Sequence, residues 1–437
     1  MTAFQGTSGV GPTSSAPVYF SIAPTDAGIM DQTMQFSAFY KLGLSLGYRY
    51  VHVPFVSWRS SAAQRLPGAA LLGKLPCPLR RALEGLAPER FFDVYRFLGF
   101  NALLRSRGAR PGPFARTLTI TLNDDSLKAQ GLESLAEVQE HVRARVSEAC
   151  AGRSGLLVRF RLSRGSTPPR KKLFSMIHRE IPRFRDGLNL RSGYDAARQR
   201  QPWPSAFGPV GIKLLVHIRQ GDTAVIKTPW NTFIPVYGSK VPGTFSEFAR
   251  YEDIPSDLLF SEGDFLTFVR GLASCFPPGA FSTLVFSDGY RRGFERLLSN
   301  LHRLPLTAGQ VAALRDCQRA HRTYDEQRFS VFSQLDNTRC VIGETRKNLC
   351  DLIHSTLIAD IVVTATQQWM LPNLTSAYGG EQQPVTIILY KGTPPDWGVI
   401  RSDHDRRFIY VNAQSPDYER LARKLAESIA IPSATRR

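Results

Sequence analysis

The chain contains no uninterrupted apolar run of the roughly 18 residues that a membrane-spanning helix requires, so no transmembrane helix is expected. Its start, Met1–Ser15, is polar and rich in Gly, Ser and Thr, without the basic and apolar regions of a secretory signal. A flexible leader over 1–17 and a cytoplasmic location follow as expectations. Cysteine is scarce: the six residues Cys77, Cys150, Cys275, Cys317, Cys340 and Cys350 form no CxxC pair, which speaks against a structural zinc and for free thiols over bridges. Also missing are GxGxxG, GxxxxGK followed by Ser or Thr, HExxH and GxSxG, the main motif support for dinucleotide oxidoreductases, P-loop enzymes, zincins and α/β-hydrolases. Acidic residues are few, 37 against 55 Lys plus Arg, leaving a formal charge of +18. Such an excess suits nucleic acid or an anionic surface. Yet no aromatic RNA-binding pattern, zinc-finger spacing or long Lys/Arg tract accompanies it, so no nucleic-acid partner is expected.

The 43% hydrophobic and 11% aromatic content spread over 437 residues is enough to bury large cores. At about 150 residues per domain, two domains are expected. Strand, Gly-containing loop, helix and strand succeed one another at the start: Val18–Ile22, a loop ending at Gly28, apolar positions from Met30 to Leu46 at helical spacing closed by Gly47, then Tyr50–Val53. This opens a parallel α/β unit. Strands are expected at Thr117–Leu122 and Gly155–Leu162, a charged amphipathic helix at Leu135–Ala149, and a basic loop at Ser163–Lys172. An Arg-rich helical stretch, 182–200, then leads into the Pro-containing run Gln201–Ala206, read as an interdomain link. The domains are drawn at 18–205 and 206–437, the last helix returning to the first.

Past that link the apolar runs Gly211–Ile218, Phe281–Phe286, Ala359–Val363 and Val385–Leu389 are nearly continuous, as in strands covered on both faces of a parallel sheet. The first three end in polar clusters, which the topology of an open α/β sheet brings to one crevice at its carboxyl edge. In the first cluster, His217 and Arg219 share a strand face, Gly221 allows a sharp turn and Asp222 can brace it. A permanently charged guanidinium fork at a strand end suits a diphosphate, while a salt bridge pinning the turn explains the same residues equally well. In the second, Ser287 and Asp288 cap a helix or grip a nucleotide's hydroxyls. In the third, Thr364, Thr366, Gln367 and Gln368 offer hydroxyls and amides to phosphate or merely cap a helix. Cys350 and His354, one helical turn apart, have the only ligand-like spacing; a core thiol beside a histidine is the preferred reading, with no metal.

Taken in order, VHIRQGD (216–222), VFSDG (285–289) and ADIVVTATQQW (359–369) resemble three consecutive motifs of the fucosyltransferase superfamily. AGIMDQTMQF (27–36) followed by YVHVP (50–54) resembles that family's first loop, helix and strand, and LRSGYDAAR (190–198) the segment before its first donor motif. The resemblance spans 18 to about 390. It implies an α/β fold of GT-B type, two Rossmann-like domains facing across a cleft, with the donor on the C-terminal one. It further implies transfer of fucose from GDP-fucose to a hydroxyl acceptor, by inversion, without metal or cofactor. Donor-binding roles fall by resemblance on Gly28, His217, Arg219, Asp222, Asp288, Thr366, Gln367 and Gln368. Gln220 after Arg219 differs from the paired arginines of α1,6-enzymes, and no carboxylate lies between Asp222 and Glu247. The nearest acidic candidates for a base are Asp31 and Asp26, with Asp31 preferred beside Arg219 as the catalytic pair. Another deoxysugar donor, or a non-catalytic basic binder, is the alternative.

Overall fold

The computed structural model describes residues 17–23, 29–53, 55, 94–109, 114, 116–122, 124–150, 155–162, 170–181, 184–209, 211–221, 224–236, 260–343, 345–366, 370–378, 383–392 and 407–430. The fold is α/β with parallel sheets in two Rossmann-like units, as the strand and helix rhythm predicts. One compact unit comprises Met1–Val56 and Phe100–Leu188, the other Ser57–Gly99 and Asn189–Arg437.

In the first unit the strands β1 (Tyr19–Ile22), β2 (Arg49–Tyr50), β3 (Arg116–Leu122) and β4 (Leu156–Leu162) form a parallel sheet in the order β2-β1-β4-β3. The helix Ile29–Ser45 links β1 to β2 and ends as predicted before Gly47, whose φ of 80° is the left-handed conformation that terminates helices. Its inner face is aromatic. Phe36, Phe39 and Tyr40 pack with Phe20, Tyr50, Phe100 and Phe160, with ring centroids 4.9–6.1 Å apart, the range in which edge and offset contacts are favourable. The helix Arg170–Glu180 begins inside the stretch read as a basic loop, so that loop is shorter than expected.

The second unit carries β5 (Ile212–Ile218), a β6 (Val225–Lys227) to β7 (Phe233–Pro235) antiparallel hairpin, β8 (Phe281–Ser287), β9 (Thr338–Ile342), β10 (Ile361–Ala365), β11 (Val385–Tyr390) and β12 (Phe408–Asn412). Its six-stranded parallel sheet has the order β12-β11-β10-β5-β8-β9. Numbered from β5, that is 6-5-4-1-2-3, the doubly wound dinucleotide-fold order. β8 and β10 are buried throughout, and β5 and β11 almost so, which explains their continuous apolar sequence.

The segment before β5 packs within this unit. In the helix Leu190–Arg200, Tyr194 Oη lies 2.5 Å from His354 Nδ1, and Arg191 Nη1 donates to the Leu357 carbonyl at 2.9 Å. Arg198 lies over the Phe97 ring at 4.0 Å. Trp203, inside the run read as an interdomain link, donates through Nε1 to Asp351 Oδ1 at 2.8 Å. That run is therefore anchored to the second unit, and the division falls near residue 188 rather than 205. The helix Tyr418–Ala430 also stays here, with Leu421 and Leu425 in the second unit's core. The Asn373–Thr375 sequon lies inside the helix Met370–Tyr378, with Asn373 and Thr375 buried. Among the described residues, Cys150, Cys275, Cys317, Cys340 and Cys350 form no disulfide.

Candidate functional site at the carboxyl edge of the second sheet

In a doubly wound sheet the chain leaves the first strand in one direction and the fourth in the other, opening a crevice outside their carboxyl ends. Here those strands are β5 and β10, paired in parallel from Ile361 with Leu214 to Val363 with Val216. His217 and Thr364 each follow the last pair, both are buried, and Arg219 and Thr366 leave the sheet two residues further on. The described members of the three polar clusters meet at this edge as expected: β5 also pairs with β8 as far as Ile218 with Ser287, so Arg219 and Asp288 emerge side by side.

Asp288 faces the β5 loop. Its Oδ1 accepts the backbone N–H groups of Gln220 at 2.8 Å and Gly221 at 3.0 Å. A Cβ at position 221 would overlap its carboxylate, so only glycine lets the loop approach this closely. Burial pushes the Asp288 carboxyl above the usual carboxylate range, opposed by those two N–H bonds and the Arg219 guanidinium. Neither Ser287 nor Asp288 caps the helix Arg291–Ser299. Ser287 Oγ accepts the Gly289 N–H at 3.1 Å, and at the helix start Asp325 Oδ1 accepts the Tyr290 N–H at 2.9 Å. Gly289, at φ 72°, brings the backbone so near Asp325 that a Cβ there would stand 2.6 Å from its Oδ2.

Behind the loop is a polar layer that no sequence motif marks. Glu262, at the first position of the helix Glu262–Ala273, is 2% exposed. Its Oε2 is bonded by Arg328 Nη2 at 2.7 Å, and its Oε1 accepts Gln220 Nε2 at 3.2 Å and the Tyr290 hydroxyl. Tyr324 holds the adjoining β6 edge, its hydroxyl accepting the Lys227 N–H at 2.8 Å. The segments that supply Glu262, Tyr324, Asp325 and Arg328 lie far from the three motifs in sequence, so nothing local identifies them.

Of the other predicted residues, Asp31 lies in the first turn of the helix Ile29–Ser45, in the first unit. Gly28, Asp26, Asp222, Gln367 and Gln368 lie outside the described residues. Asp360, inside the third motif, sits at the opposite, amino edge of the sheet, where its Oδ2 accepts the Lys213 N–H at 2.9 Å. Arg291, on the helix that follows Asp288, is exposed and paired with Glu295 at 3.0 Å. His354 is engaged by Tyr194, and burial beside Arg198 holds its pKa down at about 4. Among the described residues no group of three or more His, Cys, Asp or Glu is placed to hold a metal ion, and no helix is long and apolar enough to cross a membrane.

The chain matches no protein-family model and no curated protein. Its likenesses are to solved structures. An α,α-trehalose-phosphate synthase (UDP-forming) from Burkholderia xenovorans, in complex with glucose-6-phosphate, is similar at 13% identity and TM-score 0.24 over 51% of this chain, which spans only 37% of that protein's length. A mutant of Arabidopsis thaliana FUT1 in complex with GDP is similar at 10% identity and TM-score 0.31, covering 88% of this chain and 72% of that one. A protein assigned as a UDP-N-acetylglucosamine 2-epimerase from Listeria monocytogenes is similar at 6% identity and TM-score 0.32, covering 95% and 88%. At such scores these likenesses carry no weight for function, which rests on the chain's own geometry.

Proposed function

We propose that the second unit binds the diphosphate of a nucleotide-sugar at the β5/β10 switch point and that the chain is a glycosyltransferase of GT-B type, with GDP-fucose as donor. The observation that carries this reading is the placement of Arg219: it is the first residue past β5 at the carboxyl edge of a doubly wound sheet, in a loop whose next two N–H groups are held by Asp288. A planar fork pairs two phosphate oxygens at once and never loses its charge. Held in place before the ligand arrives, it stabilises negative charge that grows on the leaving diphosphate, an effect of about 3 kcal/mol for one well-placed donor.

The order VHIRQGD, VFSDG, ADIVVTATQQW supports fucose as the sugar. On this reading, which follows the motif resemblance, Gly28, His217, Asp222, Thr366, Gln367 and Gln368 join Arg219 as donor-binding residues, and Asp31 takes the acceptor's proton. The C1–O bond to GDP breaks as the acceptor oxygen attacks from the opposite ring face, and the configuration inverts. Asp288 acts here through the loop it braces, since its Oδ1 is occupied by two backbone N–H groups. Incubating the purified protein with GDP-fucose, GDP-mannose, UDP-glucose and UDP-N-acetylglucosamine and measuring free nucleotide tests the donor. Release of GDP from GDP-fucose alone is expected. Release from a UDP-sugar alone would overturn the fucosyl reading.

A further inference from the structure

We propose that Glu262 and Gln220 form a positioning pair for Arg219, fixing from behind the loop that presents its guanidinium to a nucleoside diphosphate. The inference rests on the nucleotide-site reading above and adds to it a second set of residues, drawn from a different part of the fold.

Gln220 is 2% exposed and Glu262 is 2% exposed, so neither side chain reaches solvent or a ligand in the crevice. They meet through Gln220 Nε2 and Glu262 Oε1 at 3.2 Å. A buried carboxylate is costly unless compensated. Glu262 is compensated by Arg328 at 2.7 Å, by the Tyr290 hydroxyl and by its place in the first turn of a helix, where the backbone dipole favours negative charge. Tyr290 is tied in turn to Asp325 through its own N–H at 2.9 Å. Gln220 therefore has a rigid partner. Its backbone N–H is fixed by Asp288 and its side chain by Glu262, so the residue next to Arg219 is held at both ends.

Such double fixation is what preorganisation requires. A long charged side chain on a free loop loses conformational entropy when it captures an anion, whereas one on a fixed loop has lost much of it already. The proposed role leaves the nucleoside untouched and acts on the diphosphate alone.

Gln220→Leu removes the side-chain donor and keeps the Glu262–Arg328 ion pair, so it tests the pair without exposing a buried charge. Calorimetric titration of wild type and Gln220→Leu with GDP and with guanosine reads the effect. The expected result is a loss of about ten-fold in GDP affinity, in the range of one hydrogen bond to a charged group, with guanosine affinity unchanged and the thermal midpoint close to wild type. A second variant guards against simple misfolding. Glu262→Met removes the acceptor of Gln220 and strands Arg328, so it is expected to lower the thermal midpoint, while Glu262→Met combined with Arg328→Met recovers most of the midpoint and leaves GDP affinity low. Equal GDP binding by wild type and Gln220→Leu, or an equal loss for guanosine, overturns the positioning role and leaves the nucleotide site standing. Failure of wild type to bind GDP, UDP or ADP overturns the nucleotide site itself and this role with it.

Discussion

The backbone N–H of Gln220 donates to Oδ1 of Asp288 at 2.8 Å, joining the loop after β5 to the loop after β8 across 68 residues of chain. The same oxygen takes the Gly221 N–H at 3.0 Å, so one carboxylate satisfies two donors at the turn that carries Arg219. Removing it leaves two N–H groups without that acceptor. Asp288→Ala is expected to destabilise the protein by about 1–3 kcal/mol in urea unfolding, and Asp288→Asn, which keeps an oxygen, by less. An alanine variant as stable as wild type would show that the clamp contributes nothing.

Asp325 should make stability fall with rising pH. Burial raises its carboxyl from the ordinary 3.8 to about 6, so the folded state holds the proton more tightly than the unfolded one. Its contribution is full below about pH 4 and is lost as pH rises through about 6. Asp325→Asn can still accept the Tyr290 N–H, and it should lack this decline. An unfolding midpoint with the same pH 4–6 slope in both proteins would contradict the assignment.

His354 should act in the opposite direction. Burial beside Arg198 lowers its pKa from the ordinary 6.5 to about 4, so folding favours the neutral ring. That contribution is full above pH 6.5 and is lost as pH falls from there to about 4. Proton NMR of the His354 ring should show a midpoint near 4, and a midpoint near 6.5 would mean that the contact with Tyr194 opens in solution.

The strands of the second sheet were the most legible part of the sequence. β5, β8 and β11 begin and end within one residue of their apolar runs, because a strand buried on both faces has an almost uninterrupted hydrophobic signature. β10 sits two residues further along than predicted, since Asp360 is tied to Lys213 and the strand runs on through Thr364, a polar residue buried in the sheet. β9 and β12 went unseen. Both are half-buried edge strands with mixed sequence. Of the site, the residues at strand ends could be read from position alone. Glu262, Asp325 and Arg328 could not, because their meaning lies in one another and only the fold brings them together.

The polar layer also explains what the +18 charge does not. Arg291 and Arg319 are exposed and held in short-range helix pairs, which contribute little. The cation on which the proposed function depends is Arg219, and one measurement tests it most directly: titration of wild type and Arg219→Met with GDP, with an unrelated oligonucleotide as control. Binding of GDP by wild type, its loss by ten-fold or more in Arg219→Met, and no binding of oligonucleotide are the predicted results. Equal GDP binding by both proteins, or tight binding of oligonucleotide without GDP, would contradict the account.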